Sequence, residues 1–389
     1  MEPGSQYWER FGHNAVVISD ITTGRSVAYN FGYFDFAQRG FMRNFLFGRM
    51  RYQAVAFDAD YDLRAYASRG RRVWLQELEL SAPQIALMRV ELDRLVRPEN
   101  AEYRYDYFRA NCSTKVRDIL ELGFSGALKH ATRGRSRGLT YRKLGLAHAA
   151  AVPWMYAGIH AGLGPNTDQV IGLYEELFIP ARLREALAEL RVPAPDGSLQ
   201  PAVRYEQILG SPAAYAVPIA PDWRWHFTLT GLALGGLLGL GLRASERRTL
   251  RWLGASSALF ALLTMGLGGV LLSFFWLFSE HSDAYRNLNL SLFNPLCLLL
   301  MPSAFGLFRR DFRPARTQIR LLQLVLAIGV FGAFIKVFPA MRQQNIEWVL
   351  LWLPVQWALL LSIASPARRR SVQPQLRVGE VNRIVQAGR

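Results

Sequence analysis

Cysteine is nearly absent from this 389-residue sequence: there are two, Cys112 and Cys297. A disulfide-stapled framework is therefore excluded. Long apolar runs are absent from residues 1 to about 222, which hold most of the acidic residues and the Tyr-rich stretches. Nucleic-acid recognition signals are also missing, with no basic segment interleaved with stacking aromatics. No internal repeat or low-complexity tract is present, and no His/Cys spacing points to a metal or cofactor. The formal net charge of +16 thus needs another explanation.

That explanation lies in the second half. A spanning helix needs about 20 mostly apolar residues. Five stretches qualify, at about 226–242, 252–278, 288–308, 321–340 and 347–365. Trp223 and Trp225 precede the first like an interfacial belt. Gly231, Gly235 and Gly239 share one helix face, a pattern suited to close helix packing. Arginines gather in alternate connections: Arg243, Arg247, Arg248 and Arg251; then Arg309, Arg310, Arg313, Arg316 and Arg320; then Arg368, Arg369 and Arg370. The intervening loops carry one Arg each, and Ser279–Asn287 also has Glu280 and Asp283. The positive-inside rule places the arginine-rich loops in the cytoplasm. Five crossings then put residues 1–222 outside, with 223–367 in the membrane and 368–389 as a cytoplasmic basic tail. An exported domain needs a leader or anchor. Met1-Glu2-Pro3-Gly4-Ser5 is neither, so an export segment upstream of this start is expected.

The N-terminal half reads as α+β. His13–Ile18 and Ser26–Phe31 form a candidate hairpin around Thr23-Gly24, and Arg72–Leu78 another strand. Ser81 caps a helix with apolar positions Ile85, Leu87, Met88, Leu92 and Leu95. Residues 113–122 form a helix with Val116, Ile119 and Leu120 on one face, and 140–190 is α-rich.

Cys112 is then a lone thiol at a helix N-terminus, where the dipole and unpaired N–H groups stabilise a thiolate or an oxyanion. A buried structural cysteine is the bland alternative. A thiolate nucleophile needs a base. His226 and His281 sit at membrane boundaries, and His130, His148 and His160 lie in the later helical region. His13 begins a strand and can face the Cys112 helix. A strand-borne His opposite a helix-borne Cys is papain-like geometry, and His before Cys is the circularly permuted order.

Phe11-Gly12-His13-Asn14-Ala15, Tyr29–Phe36, and Tyr103–Thr114 followed by Arg117-Asp118 resemble the Lnb family. So do Thr140-Tyr141-Arg142, Asp168, Phe178-Ile179-Pro180, Ser279-Glu280-His281, Asn287, Asn289 and Asn294-Pro295. The resemblance implies a permuted papain-like, NlpC-type domain in the periplasm and a five-helix transmembrane bundle in a bacterial inner membrane. It implies transfer of an acyl chain from a phospholipid to the α-amino group of a diacylglyceryl-cysteine lipoprotein. The permuted order also resembles lecithin:retinol acyltransferase-like enzymes, which work through a cysteine thioester. By this resemblance Cys112 is the nucleophile, His13 the base and Asn30 the residue orienting His13. Asn111 and the backbone at Ser113 are candidate oxyanion donors. Tyr29, Tyr107 and His281 are candidate lipid contacts beside a packing or interfacial reading, and Lys336 reads as a snorkelling side chain. Competing readings are a periplasmic cysteine amidase or peptidase acting on the cell wall, a phospholipid acyl hydrolase, and a transporter or sensor. A wall hydrolase needs no five-helix anchor, and no ionisable cluster marks a transport path.

Overall fold

The computed structural model describes residues 1–210, 216–243 and 247–364. It divides into two units. One comprises Met1–Pro221 together with Phe274–Asn287. The other comprises Asp222–Ser273 and the described residues from Leu288 onward. The basic tail and Arg368–Arg370 lie outside the described residues.

The first part of the N-terminal unit runs β1 (Ala15–Ser19), β2 (Ser26–Tyr33), α1 (Phe41–Leu46), β3 (Arg51–Asp58), α2 (Ala59–Ala67) and β4 (Val73–Leu78). It continues with α3 (Ala82–Leu95), α4 (Pro98–Ala101), β5 (Glu102–Arg104) and α5 (Cys112–Gly123). Strands β1, β2, β3 and β5 form one antiparallel sheet in that order. Strand β4 pairs instead with Val203–Leu209. The expected hairpin is present, with Ala15 opposite Asn30 and Ser19 opposite Ser26. His13 itself lies two residues before β1. Helix α3 starts as its sequence demands: the Gln84 side chain accepts the Ser81 backbone N–H (2.8 Å). Further helices follow at Tyr141–Ala149, Pro153–Gly162 and Pro180–Glu189.

The core forms where α5 and α3 cover the sheet. Val116, Ile119 and Leu120 recur at helical spacing and are buried with Met88 and Leu92 of α3 and Val16, Tyr29 and Phe31 of the sheet. Each such side chain removed from water contributes about 1.5–3 kcal/mol. Strand β2 bulges between Phe31 and Tyr33. The extra residue is Gly32, at φ 88°, a backbone state costly for other residues.

Among the described residues of the second unit and its margins, five segments are long and apolar enough to cross a membrane. They are Arg224–Leu242, Arg248–Leu277, Leu288–Gly306, Arg316–Val337 and Ile346–Ala364. Gly231 packs so closely on the fifth segment that a Cβ there would lie 2.7 Å from the Leu350 carbonyl oxygen. Gly239, expected on the same face, has open space instead, and Gly241 makes the close approach to Gly254.

The third segment departs from the continuous helix expected over 288–308. It consists of 3₁₀ turns at Leu288–Ser291 and Pro295–Leu300 followed by a short α-helix, Met301–Gly306. Pro295 and Pro302 lack the N–H groups that a continuous helix requires. Side chains partner the freed backbone groups, as apolar surroundings demand. Gln343 Oε1 accepts the Leu288 N–H (2.8 Å), Asn294 Oδ1 accepts the Leu296 N–H (3.0 Å), and Gln356 Nε2 donates to the Leu292 carbonyl (3.2 Å). Lys336 donates to Asn345 Oδ1 (2.7 Å), whose amide donates to Asn289 Oδ1 (2.7 Å). It is held by protein groups and does not simply snorkel.

Candidate active site

Cys112 is the first helical residue of α5, and Asn111 is its cap. Asn111 Oδ1 accepts the Thr114 N–H (2.9 Å), while Thr114 Oγ1 accepts the Asn111 N–H (2.9 Å). The reciprocal pair satisfies orphan donors of the first turn. Asn111 Nδ2 donates to the carbonyls of Tyr107 (3.1 Å) and Phe178 (2.9 Å). Both ends of the amide are therefore committed to the backbone. This corrects the expectation that Asn111 donates to an oxyanion: its amide anchors the turn that presents Cys112.

The neighbouring Ser113 is fully buried. Its hydroxyl donates to the Leu177 carbonyl (2.6 Å) and accepts from Asn14 Nδ2 (3.0 Å). The side chain is thus a structural tie, not a substrate contact. That tie joins the start of α5 to the residues entering β1. The backbone N–H groups of Asn14 and Ser113 act on the half-buried Cys112 sulfur and favour its anionic form. Burial outweighs them and pushes the thiol above its ordinary value. Asn14 thus sits on both Ser113 and the sulfur, and His13 is the residue that precedes it in the chain.

His13 Nε2 is 2.8 Å from Asn30 Oδ1, and Asn30 Nδ2 donates to Asp62 Oδ2 (2.9 Å). The carboxylate can only accept here, which fixes the amide orientation and makes Oδ1 the group facing His13. His13 therefore carries its proton on Nε2, leaving Nδ1 as a free base. The Tyr66 ring, one helical turn beyond Asp62 on α2, stacks on the imidazole with centroids 6.1 Å apart. Burial holds His13 down at about 4, although the Asn30 bond opposes this. Burial also raises the Asp62 carboxyl, against its Asn30 bond. The resting pair is therefore neutral imidazole and neutral thiol.

The other candidates separate. Tyr29 is in the core, on the opposite face of β2 from Asn30, and its hydroxyl donates to Asp93 on α3. That placement corrects the reading of Tyr29 as a lipid contact. Tyr107 stays half-exposed, with its hydroxyl directed at Met50 Sδ (3.3 Å). His281 lies in the 274–287 segment, Nε2 against the Phe45 carbonyl oxygen (2.7 Å). Asp62, Asn14 and Tyr66 were not anticipated. Asp62 is one of three alternating acids, Asp58, Asp60 and Asp62, and nothing local distinguishes them.

The site is therefore a thiol on a helix N-terminus, backbone donors around it, and a His–Asn–Asp relay from the residues entering β1, from β2 and from α2. No curated protein and no solved structure matches this chain. The family model for the Lnb N-terminal periplasmic domain matches residues 1–144. That for the Lnb transmembrane domain matches residues 237–362. With the two matches spanning more than half of its length, and with an α+β periplasmic domain followed by five candidate membrane helices, this chain belongs to the Lnb family.

Proposed function

We propose that this membrane protein moves an acyl chain from a phospholipid to the N-terminal amine of a diacylglyceryl-cysteine lipoprotein, through a thioester on Cys112. Family membership supports the general class, a membrane enzyme of lipoprotein modification. The observation that carries the specific reading is the Cys112 sulfur at a helix N-terminus with the Asn14 backbone N–H on it, next in sequence to His13, whose tautomer is set by Asn30 and Asp62.

His13 Nδ1 takes the thiol proton as Sγ attacks the ester carbonyl carbon. The C–S bond forms, and the carbonyl π electrons move onto oxygen. The backbone N–H groups at the α5 N-terminus stabilise that oxyanion. Collapse breaks the ester C–O bond, and the lysophospholipid alkoxide leaves with the proton held by His13. The lipoprotein amine then attacks the thioester carbonyl and gives its proton to His13. The C–S bond breaks and the sulfur regains that proton. The acyl group has moved from an ester oxygen to an amide nitrogen.

The same reading takes the domain arrangement to be 1–222 catalytic and periplasmic, 223–367 in the bacterial inner membrane, and the C-terminus cytoplasmic. The alternating arginine-rich loops support that orientation. Mass spectrometry of lipoproteins from cells carrying the chain or its Cys112→Ala variant tests the function. An N-acyl mass gain that depends on Cys112 is expected, with an acyl thioester trapped on that residue. Unchanged lipoproteins accompanied by altered muropeptides would sink it in favour of a wall amidase. A thioester that yields only free fatty acid would make the protein a phospholipid hydrolase.

A further inference from the structure

The N-terminal unit carries a line of aromatic rings that ends beside the nucleophile. Trp8 meets Phe36 (5.2 Å between centroids), Phe36 meets Phe34 (4.9 Å), Phe34 meets Tyr52 (4.8 Å), and Tyr52 meets Tyr105 (4.2 Å). At its inner end, a Cβ built on Gly32 would lie 3.9 Å from the Tyr105 ring and 3.9 Å from Cys112 Cβ. The bulge in β2 thus keeps the spot between the line and the thiol free of a side chain. At its outer end the rings are not covered. Trp8 is 46 % exposed and Phe36 50 %, and Met42 on the adjoining α1 is 63 % exposed. A purely structural aromatic cluster buries its members, whereas contiguous exposed apolar surface marks a ligand or membrane contact.

We propose that this strip binds one acyl chain of the diacyl lipid donor and leads its ester to Cys112. The inference rests on the acyl-transfer reading and names where the donor lies. Two observations favour a lipid chain as the occupant. The strip is continuous with the thiol. Its four steps together are on the scale of one leaflet's hydrocarbon, about 15 Å.

The test uses the full-length Cys112→Ser variant in vesicles containing a phospholipid with a diazirine at the end of one acyl chain. Photolysis and peptide mass spectrometry are expected to place label on the peptides bearing Trp8 and Phe36. Phe36→Asp is expected to cut that label about tenfold, the scale of removing one aromatic ring from an apolar binding surface. Label confined to other segments, or undiminished in Phe36→Asp, overturns the proposal. So does labelling of the strip by a photoreactive diacylglyceryl lipopeptide but not by the phospholipid. This readout needs no turnover, so a labelled strip in a protein that never acylates Cys112 would sink the reaction and keep the binding site. With Cys112 intact, Phe36→Ser is expected to lower kcat/KM about tenfold more for long-chain than for short-chain donors. A uniform loss across chain lengths overturns the proposal.

Discussion

Arg109 and Asp283 stand 174 residues apart in sequence and form a two-pronged ion pair, Nη1 to Oδ2 at 2.9 Å and Nη2 to Oδ1 at 3.0 Å. Arg109 is three residues before Cys112, in the turn that Asn111 closes. Asp283 is in the segment that joins the second and third apolar stretches. The same segment is held by Glu280, which bonds Arg49 (2.7 Å) and Arg104 (2.7 Å). Asn166 Nδ2 donates to Asp283 Oδ1 (3.1 Å), and the Gly164 N–H donates to the Asp283 carbonyl (2.6 Å). A single exposed ion pair stabilises by at most about 1 kcal/mol. Here the network clamps the turn that presents Cys112.

Asp283→Ala is accordingly expected to slow acylation of Cys112 about tenfold, the scale of a small misplacement of a catalytic group. Arg109→Lys should recover only part of the Arg109→Ala loss, because an ammonium cannot bond both carboxylate oxygens. Acylation rates from intact-protein mass spectrometry check both. The double variant Arg109→Ala/Asp283→Ala should be no slower than either single variant. Additive losses would show that the two residues act separately.

The relay from Asp62 through Asn30 to His13 makes a second prediction. Asn30→Ala frees the imidazole to rotate and change tautomer, so kcat should fall about 100-fold with KM little changed. Asp62→Asn leaves a neutral partner that no longer dictates the Asn30 orientation, and a loss of about tenfold is expected. Steady-state kinetics with a vesicle-borne donor separate the terms. A rise in KM alone would place Asn30 in substrate binding.

The neutral resting pair gives a third. With the thiol raised above its ordinary value, the thiolate fraction grows tenfold per pH unit throughout the neutral range. Alkylation of Cys112 by iodoacetamide should therefore climb steadily through pH 9 without levelling near neutrality. A plateau from pH 5 to 8 would reveal a preformed thiolate–imidazolium pair. Under the proposed mechanism acyl transfer behaves differently, because there His13 is the base. His13 is neutral above about pH 4 and protonated below it. The sign follows: base catalysis persists as pH falls to about 5 and fails near 4.

Some of this protein was legible locally. Asn111 and Thr114 around Cys112, followed by Val116, Ile119 and Leu120, specify a capped amphipathic helix with the sulfur at its first turn. Apolar length and alternate arginine clusters specify five membrane segments. Periodicity and capping depend on neighbours within a few residues, and such features survive in a one-dimensional pattern.

Other features depended on packing. Tyr29 and Asn30 are adjacent, yet strand alternation sends one into the core, with its hydroxyl on Asp93 of α3, and the other to His13. Asn111 looks like an oxyanion donor beside a nucleophile, until the Tyr107 and Phe178 carbonyls occupy its amide. Asp62 gains its role only because α2 brings that one of three alternating acids against Asn30. Asp283 reads as a loop acid between two membrane segments, and it closes on the turn before Cys112. By itself the sequence determined the helix end bearing the thiol and the segments entering the membrane. The tertiary structure alone decided which distant side chains complete the site. A hydrogen bond or ion pair requires atoms within about 3 Å, and separations of 17, 32 and 174 residues are closed only by the fold.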